Sequence, residues 1–306
     1  MRVSLRPLVP LGAALALVGC GPTVVHPPRL DNGDAAWKAL IGTTPAVVTA
    51  TSTNACGVGS PACIRDVVAE MTRRYDVLAA RCSHEAPFAL TYLRVTQAVE
   101  RPGTRRFQSR EYLNHLDAVF ANLYFSAYDN WQAGRMQLVP EAWRTAFDAA
   151  DRETVSTLGD ILLGMNAHIS RDLPFALARA GLHEPDGRSG RADFISVNGL
   201  LGDVTSGMLR EQAARFDPTL TSTVLPAIQL DPSNLQQLLT AWRSEAWRNA
   251  ERLLSTRTPA QHARVARTIE LGAAGRARLI ASLTSNLVIG PAAKQRNAYC
   301  ERRRRS

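Results

Sequence analysis

The sequence predicts an all-α protein: a single multi-helix domain with no significant sheet. Apolar residues recur at three- and four-residue spacings wherever a pattern can be read, and no stretch alternates as a half-buried strand would. Hydrophobic residues make up 45% of the chain, which is ample for a core. No internal repeat or domain-sized linker follows Asp34, so one domain over residues 35–300 is expected, as a multi-helix array rather than a four-helix bundle.

The elements follow in order. Val67, Val68, Met71, Tyr75 and Leu78 place a first helix over 64–80. A second, over 87–99, lies between the break at Cys82-Ser83-His84 and the stop at Arg101-Pro102-Gly103. Residues 111–131 form a long amphipathic stretch with Tyr112, Phe120, Tyr124, Phe125, Tyr128 and Trp131, whose aromatic stripe reads as core. Pro140 opens a short helix carrying Trp143 and Phe147. The most apolar segment, 153–169, continues into 173–180 after a kink at Pro174. A Gly- and charge-rich loop over 183–190 precedes Asp193, read as the N-cap of a helix running to about Phe216. Helices over 233–255, with Leu238, Leu239, Trp242, Trp247 and Leu253, and over 259–285 complete the body.

The N-terminus carries an address. Arg2 and Arg6 precede an apolar stretch, residues 8–18, that is too short to span a bilayer comfortably. It ends in Leu17-Val18-Gly19-Cys20, which resembles the bacterial lipobox. Residues 1–19 are therefore expected to be removed as a signal peptide and Cys20 to carry fatty acyl chains such as palmitate. Several acyl chains hold a protein to a membrane far better than one. The polar, Pro-rich residues 20–34 read as a flexible tether. The expected location is the extracytoplasmic side of a bacterial membrane, with membrane lipid as the partner of the acyl chains. No second apolar stretch of membrane length follows.

The formal net charge is +9, and loss of Arg2 and Arg6 lowers it by two. Much of the excess lies in a basic tail, residues 301–306, expected to be solvated, with a weak grip on anionic headgroups. Lys occurs only at positions 38 and 294, so the basic bias is an Arg bias, and no nucleic-acid partner is expected. Four thiols besides Cys20 in an exported chain point to two disulfides. Cys56–Cys63 would close a loop containing Gly and Pro, and Cys82–Cys300 would tie down the C-terminal end; the other two pairings stay open. The spacing lacks the close Cys pairs of a four-Cys metal knuckle.

One segment, 164–174, carries the residues of a candidate site. His168 and Asp172 are four apart and share a face of an unbroken helix, with Asp160 and Gly164 on the same stripe. Gly164, lacking a side chain, leaves room there for an ion or substrate. Imidazole plus carboxylate suits a divalent metal such as zinc, and a hydrolytic zinc site needs three protein ligands and an open position. His115, His183, Asp117 and Asp203 are the further donors by residue type. His115 and Asp117, two apart, diverge on a helix. Asn166 is placed to orient substrate, and Asn198, a poor helix former inside a helical pattern, is either buried with a partner or a substrate contact. The structural alternative makes Asp172 the N-cap of the following helix and His168 a buried histidine bonded to it. No Ser/His/Asp or Cys/His arrangement, phosphate loop or dinucleotide fingerprint is present.

These residues also carry two resemblances. The run from Asp117 to Tyr124, Ala142-Trp143 with Phe147, the Gly164-Met-Asn-Ala-His-Ile core with Asp172-Leu-Pro174, and Asp193-Phe-Ile-Ser-Val-Asn198 recur in one order. They resemble a bacterial, often exported, helical family known as a domain of unknown function, over residues 63–255; that resemblance implies no activity. The His168-x-x-x-Asp172 pair is more weakly similar to a ligand pair of the zinc-dependent phospholipase C and P1 nuclease group. That group uses further His pairs, which His26, His84, His115, His183 and His262 do not form. Two functions are therefore carried forward. One is an anchored, metal-dependent hydrolase of phosphoester or lipid substrates, in which His168 and Asp172 bind the ion and Asp117 or His183 completes it. The other is a non-catalytic cell-envelope binding protein.

Overall fold

Local hydrogen bonding sets where several helices begin. Ser109, Ser156 and Thr258 each accept a hydrogen bond from the backbone N–H three residues on, and Gln261 returns the favour to the Thr258 N–H. In the computed structural model, which describes residue 56 and residues 59–101, 107–221, 232–289 and 292–305, the helices are α1 (Pro61–Ala80), α2 (Ala86–Glu100), α3 (Arg110–Gln132), α4 (Glu141–Asp151), α5 (Thr157–Met165), α6 (Leu173–Ala180), α7 (Arg191–Arg215), α8 (Pro232–Leu254), α9 (Pro259–Leu283), α10 (Asn286–Ile289) and α11 (Ala292–Arg305). Cys20, residues 1–34 and the start of the expected domain lie outside the described residues. Among the described residues there is no strand, only isolated bridges at Val155–Ser285 and His183–Ser189. No described helix is long and apolar enough to cross a membrane.

Between α5 and α6 the chain widens into a π turn, Asn166–Asp172, in which the Leu173 N–H bonds the His168 carbonyl. The sequence places a kink at Pro174; the structure places this wider turn just before it. Pro174 has no N–H to meet the Ser170 carbonyl, and the shift in register accommodates that loss. The turn is buried at the centre of the fold, packed against α3, α4, α8 and α9.

One sequence reading is corrected and another sharpened. Asp193 is not the N-cap of α7: Gly190 holds that place. The Asp193 carboxylate instead accepts the N–H groups of Gln108 and Ser109, both at 2.7 Å, and so fixes the start of α3. Residues 301–305 are exposed, as expected of a basic tail, but they are helical rather than irregular. Helix α11 runs to Arg305, and Arg304 donates to the Ala80 carbonyl. Arg is a good helix former, and cations favour a helix C-terminus.

Both expected disulfides form, Cys56–Cys63 and Cys82–Cys300. The second docks α11, aided by Arg296, which is fully buried, donates to the carbonyls of Cys82 and Ser83 and lies over the Phe216 ring. The two loops differ greatly, 7 against 218 residues of separation. On loop entropy alone the longer bridge contributes about 5 kcal/mol and the shorter about 2 kcal/mol. Denaturant unfolding should therefore show a larger loss for Cys82→Ser/Cys300→Ser than for Cys56→Ser/Cys63→Ser. Equal losses would mean that α11 is not held as described.

Candidate functional site

The π turn brings His168 and Asp172 together, as their spacing predicts: His168 Nδ1 lies 3.3 Å from Asp172 Oδ2. Asp172 is wholly buried. Its Oδ2 also accepts from Trp143 Nε1 at 2.8 Å, and its Oδ1 accepts from Arg171 Nη1 at 2.9 Å. It makes no side-chain cap to α6. Its carboxylate is thus committed to three donors, and its role is to position.

With Nδ1–H turned to Asp172, the other ring nitrogen of His168, Nε2, is the acceptor of the neutral imidazole. Nε2 is buried and has no partner. Burial holds the His168 pKa below the usual imidazole range against the pull of Asp172, so the ring is neutral at neutral pH. Phe120 fixes the ring plane by stacking on it, centroids 3.4 Å apart and 5° from parallel.

His168 lines a partly open cavity of about 70 Å³ bordered by α2, α3, α5, α6, α7, α8 and the π turn. Its walls are mostly apolar, Phe88, Val99, Leu113, Ile169 and Val197 among them. Asp117, Tyr92 and Arg243 interrupt them. Asp117 as a residue is half-buried, yet its Oδ2 is enclosed and unpartnered. Burial pushes its carboxyl up to about 7, with Arg243 opposing. Burial likewise lowers Arg243 to about 10, with Asp117 opposing, so the guanidinium stays charged at neutral pH. Arg243 is held by Asn198 Oδ1 and the Phe194 carbonyl, each at 2.7 Å, and lies over the Phe194 ring. Tyr92 Oη is also buried without a partner, and burial raises its phenol well above the usual value.

The remaining sequence candidates fall elsewhere. Asn166 does not meet the cavity; its Nδ2 donates to the Ala273 carbonyl and ties the π turn to α9. Asn198 positions Arg243. His115 donates to the Cys56 carbonyl at 2.7 Å, and His183 is exposed beside its bridge to Ser189. The expected metal set of His168, Asp172, His183 and His115 is therefore not brought together. Among the described residues no three His, Cys, Asp or Glu side chains are arranged to hold a metal ion. The space above Gly164 is not open either: a Cβ there would lie 2.3 Å from Phe88 Cγ, so the glycine exists to admit that ring.

Arg243 and Tyr92 are the site residues that the sequence reading missed. Arg243 had a legible signal, since it stands four residues from both Leu239 and Trp247 and so lies on the buried stripe of α8. Tyr92 had none, because its hydroxyl reads as an ordinary core residue of α2.

The geometry leaves open which proteins share it. Residues 64–283 match the model of a family of unknown function, DUF5995. The chain belongs to that family. The match runs from α1 through the end of α9, beyond the 255 at which the resemblance read from the sequence stops, and so takes in the Ala273 that holds the π turn. No curated protein and no solved structure matches the chain.

The raised Asp117 carboxyl has a sign that can be checked. Its folded value, about 7, lies above its ordinary 3.8, so the folded state holds the proton more tightly. Asp117 should therefore lower stability progressively as pH rises from about 4 to about 7. Asp117→Asn should gain stability relative to wild type across that window, and the comparison cancels the opposite contribution of His168. A difference independent of pH would contradict the burial described here.

Proposed function

We propose that this DUF5995 protein is exported, anchored to a bacterial membrane through acyl chains on Cys20, and uses its helical body to bind a small, largely apolar ligand by its polar end. The anchoring rests on the lipobox-like Leu17-Val18-Gly19-Cys20 after a short apolar stretch. The ligand reading is carried by one observation. His168 Nε2 and Asp117 Oδ2, both buried and unpartnered, belong to residues lining the same mostly apolar cavity. A buried polar atom without a partner costs about 1–3 kcal/mol, which a ligand group meeting it would recover.

The Asp172–His168 pair favours a second reading, hydrolysis without a resident metal. A carboxylate that orients a neutral imidazole, its free nitrogen turned from the carboxylate, is the arrangement of a general base. A metal-dependent hydrolase is less well supported, because the donors it needs point to separate places. No nucleic-acid partner is proposed.

Calorimetric titration with a series of straight-chain alkanols tests the cavity. Affinity should tighten about fourfold per added methylene, the equivalent of about 0.8 kcal/mol each, until the cavity is full. Thr96→Trp, which fills it, should abolish binding. In fractionated cells Cys20→Ala should leave the membrane fraction. Alkanol affinity independent of chain length would refute the cavity, and an unmoved Cys20→Ala protein would refute the anchor.

A further inference from the structure

The shape and charge of the cavity narrow the class of ligand, an inference that rests on the cavity reading above. Its volume of about 70 Å³ is less than half of the roughly 150 Å³ in which an apolar protein cavity holds benzene. Yet its walls extend along α2 from Phe88 to Val99, roughly 16 Å at the rise of an α-helix. A space of that volume rejects a ring and leaves room for a short unbranched chain.

The charge is unbalanced. Arg243 is 7% exposed, and its Nε and Nη2 are occupied by Asn198 and the Phe194 carbonyl. Among the described residues no ion pair joins it to Asp117, although both line the cavity and each feels the other's charge. A buried guanidinium without a paired anion is costly, and Arg does not relieve the cost by deprotonating.

We infer that the ligand is an unbranched-chain carboxylate, its chain along α2 and its carboxylate between Arg243 and a protonated Asp117. The titratable groups that line the cavity with Asp117 are Arg243 from α8, Tyr92 from α2 and His168 from the π turn. Arg243 stays charged, the Tyr92 phenol stays protonated and His168 stays neutral, so Asp117 is the group that changes protonation. Above its value of about 7 the bound carboxylate draws a proton onto Asp117, and this proton is then shared with the ligand oxygen. Below that value the proton is already there.

The test uses the full mature chain with butyrate and butan-1-ol as probes, short enough for a cavity of this volume, titrated at about pH 8 in two buffers of different ionisation enthalpy. Butyrate should bind more tightly than butan-1-ol and take up close to one proton. Asp117→Asn should keep butyrate binding and lose the proton uptake. Arg243→Met should weaken butyrate about tenfold or more while leaving butan-1-ol nearly unchanged. Should Arg243→Met fail to fold, the Asp117→Asn proton count still decides. Butan-1-ol binding as tightly as butyrate, or butyrate binding without proton uptake, would overturn the carboxylate inference and leave the cavity reading intact. Neither probe binding would overturn both.

Discussion

The buried carboxylate of Asp172 is the interaction on which the centre of this protein depends. It sits at the end of a π turn and collects hydrogen bonds from Trp143 on α4, Arg171 beside it and His168 four residues back. Arg171 in turn reaches Glu270 on α9 at 2.7 Å. One carboxylate thereby joins three elements in a place where water cannot substitute. A buried charge that loses its partners costs several kcal/mol, so the network acts as a unit. Trp143, the largest wholly buried side chain among the described residues, and the cavity-lining ring of His168 are both held by one oxygen, Asp172 Oδ2.

A comparison within the molecule separates structure from function. His84 and Asp160 form a second buried pair, 2.8 Å apart, but the other nitrogen of His84 is met by Asn297 Oδ1 at 3.0 Å. Both ring nitrogens are used, and the pair locks α11 against the start of α2. His168 differs in one respect: its second nitrogen has no partner and its ring borders a cavity. Residue type and carboxylate partner are the same in both. What the free nitrogen meets decides the role.

The helices were legible because burial along a helix imposes a periodicity that local sequence records. The His168–Asp172 contact was legible from its four-residue spacing, and the disulfides from an even number of thiols besides Cys20. Features that depend on distant chain were not. Asp193 has the residue type of a cap, and it does cap, but for the start of α3 rather than for its own helix. Gly164 has the look of vacant space, which Phe88 from α2 occupies. His115 has the chemistry of a ligand, and the Cys56 carbonyl already holds it. The helical course of residues 301–305 follows from α11 being pinned by Cys300 and Arg296, which composition alone does not record.

The state of the His168 ring tests the account most directly. Nitrogen-15 spectra of imidazole-labelled protein should show a neutral ring at neutral pH, protonated at Nδ1 and bare at Nε2, with that tautomeric preference lost in Asp172→Asn. A ring protonated at Nε2, or an imidazolium at neutral pH, would contradict the claim that Asp172 presents an unpartnered acceptor to the cavity.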